Sequence, residues 1–480
     1  MGFTLLDYLV LLLYLAATVW LGVHLGRRQR DTKDYFLGGG NMRWWAIAGS
    51  IVATETSTLT FIGAPAIAYQ GDMTFLTLTF GYLLGKLLVA GLLIPLYFAG
   101  SIQSVYEILQ TRFGRSVQRA AAGLFLLTRT LADGVRLFAT ALVLGVVTGL
   151  SDSWTIFLIG LVTLLYTSLG GMRAVVWNDV LQLIIYLIGA GLAWWTLVDR
   201  IPGGWEAAST MAEAAGKFNV LYWSLDPRAE YALLAGLVGG AFLTFATHGA
   251  DQMMVQRYLA SGDKKRSQLA LIVSGVVVIL QFLVFLIIGV LLYCFYRYFP
   301  PAEPFTQVDQ VFPAFIVHEL PPGLSGLIIA AIFAAAMSTL SSSLNSLASS
   351  SLNDFYRPWF RPGKDETFYF KMSRYLTVFW ALLLVTVSFW ARGWGELLEA
   401  GLTISGLTMG SILALFILGI LRVSATSRSV IIGMVGGVAV MIALHWSGIF
   451  AWTWYVLLGT STTLLLILAA EALNRRLQIR

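Results

Sequence analysis

The chain has 480 residues, of which 58% are hydrophobic and 12% charged, with a mean hydropathy of +0.78. So little polar surface excludes a soluble protein of this length and defines a polytopic membrane protein. The net charge of +6 does not mark a nucleic-acid partner, because the basic residues fall in short loops between apolar runs; a single cysteine, Cys294, excludes an intramolecular disulfide or a cysteine metal cluster.

The first apolar run, Leu5 to Leu25, is long enough to cross a bilayer and is followed by Arg27 and Arg30, not by a small-residue cleavage site. An uncleaved helix is therefore expected. Windows of roughly twenty apolar residues place about thirteen spans. They lie near 4–25, 43–70, 73–99, 117–149, 153–170, 172–199, 231–258, 266–298, 323–356, 366–391, 396–422, 427–447 and 451–473. Alternate loops collect most Lys and Arg, among them Arg43, Arg112, Arg173, Arg257, Lys264, Lys364, Arg422 and Arg475. The positive-inside rule makes those loops cytoplasmic, with the amino terminus outside, the carboxyl terminus inside and one multi-pass domain, 1–480, in a plasma (inner) membrane. No soluble domain is expected.

Two spans read as broken. The second carries a polar cluster from Thr54 to Thr60, then Gly63 and Pro65, which unwinds a helix in mid-membrane. The seventh has Gly236, Gly239 and Gly240, then Thr247, His248, Gly249 and Asp251. Broken spans separated by four intact ones are the pattern of inverted repeats, spans two to six and seven to eleven, with solute and ion held between them. In the ninth span, Ala335, Ser338, Thr339 and Ser342 fall at i, i+3, i+4 and i+7 and share a face. Such a face either packs helices closely or offers the oxygens that a dehydrated monovalent cation needs.

Charges inside spans need partners or a role. Asp179 would cost about 2.5 to 3.5 kcal/mol on insertion scales, unless the nearby cytoplasmic end hydrates it. On the fourth span Arg129, Asp133 and Arg136 form an ion ladder at i, i+4 and i+7, neutralised internally, by Glu55 or by Asp251. Lys86 is expected to be paired or snorkelling, and His248 to be structural or to face a pocket. Four dispersed histidines, with no HExxH and no nucleophile elbow, leave no catalytic set, so an enzyme is not expected.

Several motifs stand in a recognisable order: Lys33 to Phe36 with Gly38 to Gly40 and Trp44, SIVATETSTLTFIG at Ser50 to Gly63, GGMRAVVWNDVLQ at Gly170 to Gln182, QRYLA at Gln256 to Ala260, and GLIIAAIFAAAMSTLSSSLNS at Gly326 to Ser346. Together they resemble the sodium:solute symporter family, with likeness to its bacterial sialic-acid, proline and galactose carriers. The resemblance implies an all-α, leucine-transporter-like fold: a five-plus-five inverted repeat (43–199 and 231–422), one helix before it (4–25) and two after it (427–473). It also implies a sodium site formed by carbonyls of Ala53, Thr56 and Ala335 and hydroxyls of Ser338 and Thr339. A second site, present in some members, matches Asp179, Ser338, Ser341 and Ser342, so one or two Na+ ions are expected. Solute candidates are Glu55, Ser57, Thr60, Phe75, Thr79, Arg136, His248 and Asp251. In the sialic-acid carriers a span-four arginine grips the solute carboxylate; the aligned residue here is Ala132, with Arg129 and Arg136 about a turn to either side. The expected function is sodium-coupled import of a small polar solute (a carboxylate, an amino acid, or a sugar or polyol) by a monomer. A proton-coupled carrier using Glu55 or Asp179, or a transporter-like solute sensor, is the alternative.

Overall fold

The computed structural model describes residues 4–27, 29–301, 304–305, 307–391 and 397–478, so residue 396, the expected start of the eleventh span, lies outside them. Among the described residues there are helices and connections but no strand, as apolar spans require when every backbone group must be satisfied within its own segment. We number the long helices α1 (Leu5–Gly26), α2 (Trp44–Glu55), α3 (Thr58–Gln70), α4 (Leu76–Leu88), α5 (Arg115–Thr148), α6 (Asp152–Arg200) and α7 (Gly240–Gly249). They continue as α8 (Gln252–Ala260), α9 (Lys264–Tyr298), α10 (Leu324–Ser350), α11 (Glu366–Trp390), α12 (Leu397–Ile420), α13 (Ser427–Ser447) and α14 (Tyr455–Gln478).

Each expected span has a helical counterpart, but the boundaries differ where the backbone does. Nine helices among the described residues are long and apolar enough to cross a membrane, and the bent pair α2 and α3 makes a tenth. The expected fifth and sixth spans are the 49-residue α6, whose two limbs join at Gly171 with φ 50° and ψ −152°. A Cβ there would come within 2.6 Å of the Tyr35 carbonyl, so both backbone angle and space call for glycine.

Helix α10 lies at the centre, packed against α6, α1, α5 and α11 and touching α2. Nearly all of its residues are buried. Its Ala and Ser side chains let neighbouring backbones approach closely, which is how helices associate where lipid supplies no hydrophobic drive. The same device joins α4 to the segment leading into α7: a Cβ on Gly81 would stand 2.4 Å from the Gly236 carbonyl. On the far side of the first break, the Lys217 ammonium donates to the carbonyls of Tyr69 at 2.7 Å and Gly71 at 2.6 Å, capping the last turn of α3.

Candidate sodium and solute sites

The first break is made by two residues that leave helical conformation, Thr56 (φ −87°, ψ 94°) and Ser57 (φ −87°, ψ 169°). Ser57 caps α3, its hydroxyl accepting from the Thr60 amide at 3.3 Å, and the two half-helices are bent by 63°. Unwinding frees the last carbonyls of α2. The Ser338 hydroxyl donates to the Ala53 carbonyl at 2.8 Å and lies 3.1 Å from the Ala335 carbonyl. The Thr339 hydroxyl reaches the Thr54 carbonyl at 3.3 Å and the Ala335 carbonyl at 3.4 Å. Ala53, Ala335, Ser338 and Thr339 thus meet where α2 crosses α10. Thr56 stands at the break itself, its hydroxyl donating to Val52 at 2.9 Å and accepting from the Gln281 amide at 2.6 Å. The group is all neutral oxygen, and no cluster of three or more His, Cys, Asp and Glu that could hold a metal occurs among the described residues. Neutral carbonyls and hydroxyls suit a monovalent ion.

Asp179 is wholly buried, which removes the hydrated alternative. Its Oδ2 accepts from Ser50 at 2.5 Å and from the Arg257 guanidinium at 3.0 Å, while Oδ1 has no partner. Arg257 also donates to Thr54 at 2.6 Å and to Ser342, and the Thr54 and Ser342 hydroxyls are 3.1 Å apart. The four residues expected to share a second sodium are therefore not gathered around Asp179. Ser342 joins it through Arg257, Ser341 donates to the Ser338 carbonyl at 3.1 Å, and Ser338 faces Ala53. Reading Arg257 as a cytoplasmic loop residue is corrected: it is 1% exposed, on a helix whose nine residues are all buried. A buried carboxylate is stable only with a counter-charge and hydrogen bonds, and Arg257 supplies both.

A cavity of about 200 Å³ opens beside the first break. Of the solute candidates, Glu55, Ser57, Thr60, Phe75, Arg136 and His248 line it. Thr79 and Asp251 do not, and for physical reasons. Thr79 is wholly buried with its hydroxyl on the Leu76 carbonyl at 2.7 Å, and Asp251, also wholly buried, pairs with Arg129 and caps α8 by accepting from the Met253 amide at 2.8 Å. The ladder on α5 is thus partly external: Arg129 turns to Asp251, Arg136 pairs with Asp133 at 3.0 Å, and Ser343 donates to the other Asp133 oxygen. Arg136 stays 22% exposed. Lys86 proves to be paired, its ammonium 2.6 Å from Glu55 Oε1, which also contacts His248 Nε2. Thr339 belongs to both regions, touching the freed carbonyl of Thr54 and lining the cavity.

A buried hydroxyl-bearing helix apposed to a broken one, with a solute-sized cavity at their joint, is the architecture of a secondary transporter. The chain belongs to the sodium:solute symporter family, whose sequence pattern matches residues 35–437, and its coupling ion is sodium. It is 30% identical to the sodium/sialic acid symporter NanT of Aliivibrio fischeri over 465 residues, which cover 96% of this chain and 91% of that protein. Human sodium-coupled monocarboxylate transporter 1 is 30% identical over 460 residues, covering 94% of this chain and 74% of the other. Among solved structures, a sodium-coupled sialic acid symporter in its substrate-bound, outward-open state superposes with a TM-score of 0.91 at 29% identity, covering 98% of both chains. The all-α, leucine-transporter-like fold expected from the motifs is the fold of this chain.

Proposed function

We propose that this transporter imports a small carboxylate-bearing solute together with sodium, by alternating access across a plasma (inner) membrane, as a monomer with its amino terminus outside. The observation that carries the reading is the double position of Thr339, which stands against the carbonyl freed at the break and lines the solute cavity. Sodium held by Ala53, Thr56, Ala335, Ser338 and Thr339 would tie α2 to α10 and order the break, raising solute affinity, and the solute would raise sodium affinity by the same factor. One sodium falling through ~100 mV supplies ~2.3 kcal/mol, and a tenfold gradient adds ~1.4 kcal/mol. Repeats at 43–199 and 231–422 would rock about this joint.

A carboxylate is favoured because Arg136 remains partly exposed in the cavity near the hydroxyls of Ser57 and Thr60. The relatives named for sialic acid and monocarboxylates point the same way. For the second ion, the spare Oδ1 of Asp179 is the available oxygen, with Arg257 as its rival.

The decisive test is thermal stability of the purified protein with carboxylates, amino acids and sugars, each in sodium chloride and in choline chloride. Stabilisation by carboxylates in sodium alone is expected. Equal stabilisation in both salts would overturn sodium coupling and favour a proton-coupled carrier or a solute sensor.

A further inference from the structure

The cavity wall has a second charged group that the carboxylate reading leaves unused. Glu55, at the last turn of α2, lines the wall, and both Lys86 on α4 and His248 on α7 converge on its Oε1. Its Oε2 has no hydrogen-bond partner. Lys86 is wholly buried and absent from the cavity wall; its ammonium is also held by the Ser274 hydroxyl of α9 at 3.0 Å. Glu55 therefore lines the cavity while its buried Oε2 keeps an acceptor to spare, and the charge that balances it sits behind it.

Charge counting around the cavity then constrains the solute. With the His248 imidazole neutral, Lys86, Arg129 and Arg136 face Glu55, Asp133 and Asp251, so cations and carboxylates balance. The wall also carries apolar side chains, with Phe75 stacked on Phe282 at 5.3 Å between ring centroids. In such surroundings an unmatched charge is costly. A monocarboxylate entering with one sodium leaves the balance intact. An amino acid entering with one sodium adds a positive charge, because Lys86 has already taken the place that its ammonium would fill. A hydroxyl donating to the carboxylate of Glu55 makes a charge-assisted bond and adds no charge.

We propose that Glu55 is the acceptor for a solute hydroxyl, that Lys86 is the positioning residue acting as its resident counter-cation, and that the transporter selects hydroxylated carboxylates over amino acids of equal length. The inference rests on the cavity being the solute site for a carboxylate, as proposed above.

Three six-carbon acids that differ only at the far end test it: hexanoate, 6-hydroxyhexanoate and 6-aminohexanoate. Their apparent affinities are read from thermal stabilisation of the purified full chain in sodium chloride. In the unmodified protein, 6-hydroxyhexanoate should bind about tenfold tighter than either of the others. Lys86→Met should reverse the order, with 6-aminohexanoate about tenfold ahead, since its ammonium replaces the missing cation; Lys86→Arg should restore the original order. A merely structural role for Lys86 would lower all three affinities without exchanging them. Should Lys86→Met fail to fold, the uncharged pair Glu55→Leu with Lys86→Met should bind hexanoate and lose the advantage of the hydroxyl. Equal binding of the three acids, an unchanged order in Lys86→Met, or a hydroxyl advantage that survives in the uncharged pair overturns the proposal and leaves the carboxylate reading standing. If none of the three stabilises the protein, the carboxylate reading itself falls.

Discussion

Two of the helix breaks, α2 to α3 and α7 to α8, are finished in opposite ways. At the first, between α2 and α3, the freed carbonyls of Ala53 and Thr54 are met by the hydroxyls of Ser338 and Thr339. At the second, between α7 and α8, Tyr97 donates to the Gly249 carbonyl, Tyr106 donates to the Ala250 carbonyl at 3.2 Å, and Asp251 is paired with Arg129. A hydroxyl can turn and present its oxygen to an ion, whereas a tyrosine anchored on its ring and an arginine bound to a carboxylate are fixtures. The first break is thus a joint whose partners can be exchanged, and the second is a sealed one. Identical backbone devices acquire different roles from the side chains that satisfy them.

The largest effect that would test this contrast lies at the sealed break. Arg129→Ala leaves Asp251 buried without its cation and should cost about 3 to 5 kcal/mol of stability, read as a large drop in melting temperature in both salts. A loss below about 1 kcal/mol would mean that the second break is not sealed by this pair. Arg257→Gln strands Asp179 in the same way, but beside the exchangeable joint. Its melting temperature should fall steeply in choline chloride and recover in part in sodium chloride, as an ion takes up the vacated counter-charge. Equal losses in the two salts would remove Asp179 from any sodium site.

At the first joint itself the effect should be on ion dependence and not on stability. Ser338→Ala or Thr339→Ala is expected to raise the sodium concentration for half-maximal uptake roughly tenfold, about 1.4 kcal/mol, with a melting temperature close to that of the parent. Unchanged sodium dependence in both variants would take the site away from α10.

How much of this was legible in the sequence follows from the range of the interactions. The unwinding at Thr54 to Thr60 and the oxygen-bearing face of α10 are local properties, set by residue type and helical period, and both could be read directly. Partner choice between helices is not local. Arg129 and Asp251 are 122 positions apart, and Arg257 and Asp179 are 78 apart, so a single sequence does not show that either pair exists. Arg257 was further disguised by standing near the end of an apolar stretch, where an arginine counts toward the cytoplasmic loop. The expected seventh span, 231–258, already contained position 257, and the structure shows the helix Gln252–Ala260 buried throughout and packed within the bundle. Thr79 misled in the other direction, because a hydroxyl inside an apolar helix can satisfy itself on its own backbone without facing a pocket.

The finest test of the contrast compares one hydrogen bond at each break. Tyr106→Phe removes the donor to the Ala250 carbonyl and Ser57→Ala removes the cap of α3; each should cost about 1 kcal/mol. Equal energies should have unequal consequences. The Tyr106 variant should melt slightly earlier while its sodium and solute dependences stay where they were, since nothing at the sealed break exchanges during transport. In the Ser57 variant the second half-helix, α3, is less firmly started at the point where the solute cavity and the freed carbonyls adjoin, so the same loss should appear as weaker solute binding at limiting sodium. Solute binding that weakens equally in both variants would show that the two breaks share one role, and the distinction between an exchangeable joint and a sealed one would not stand.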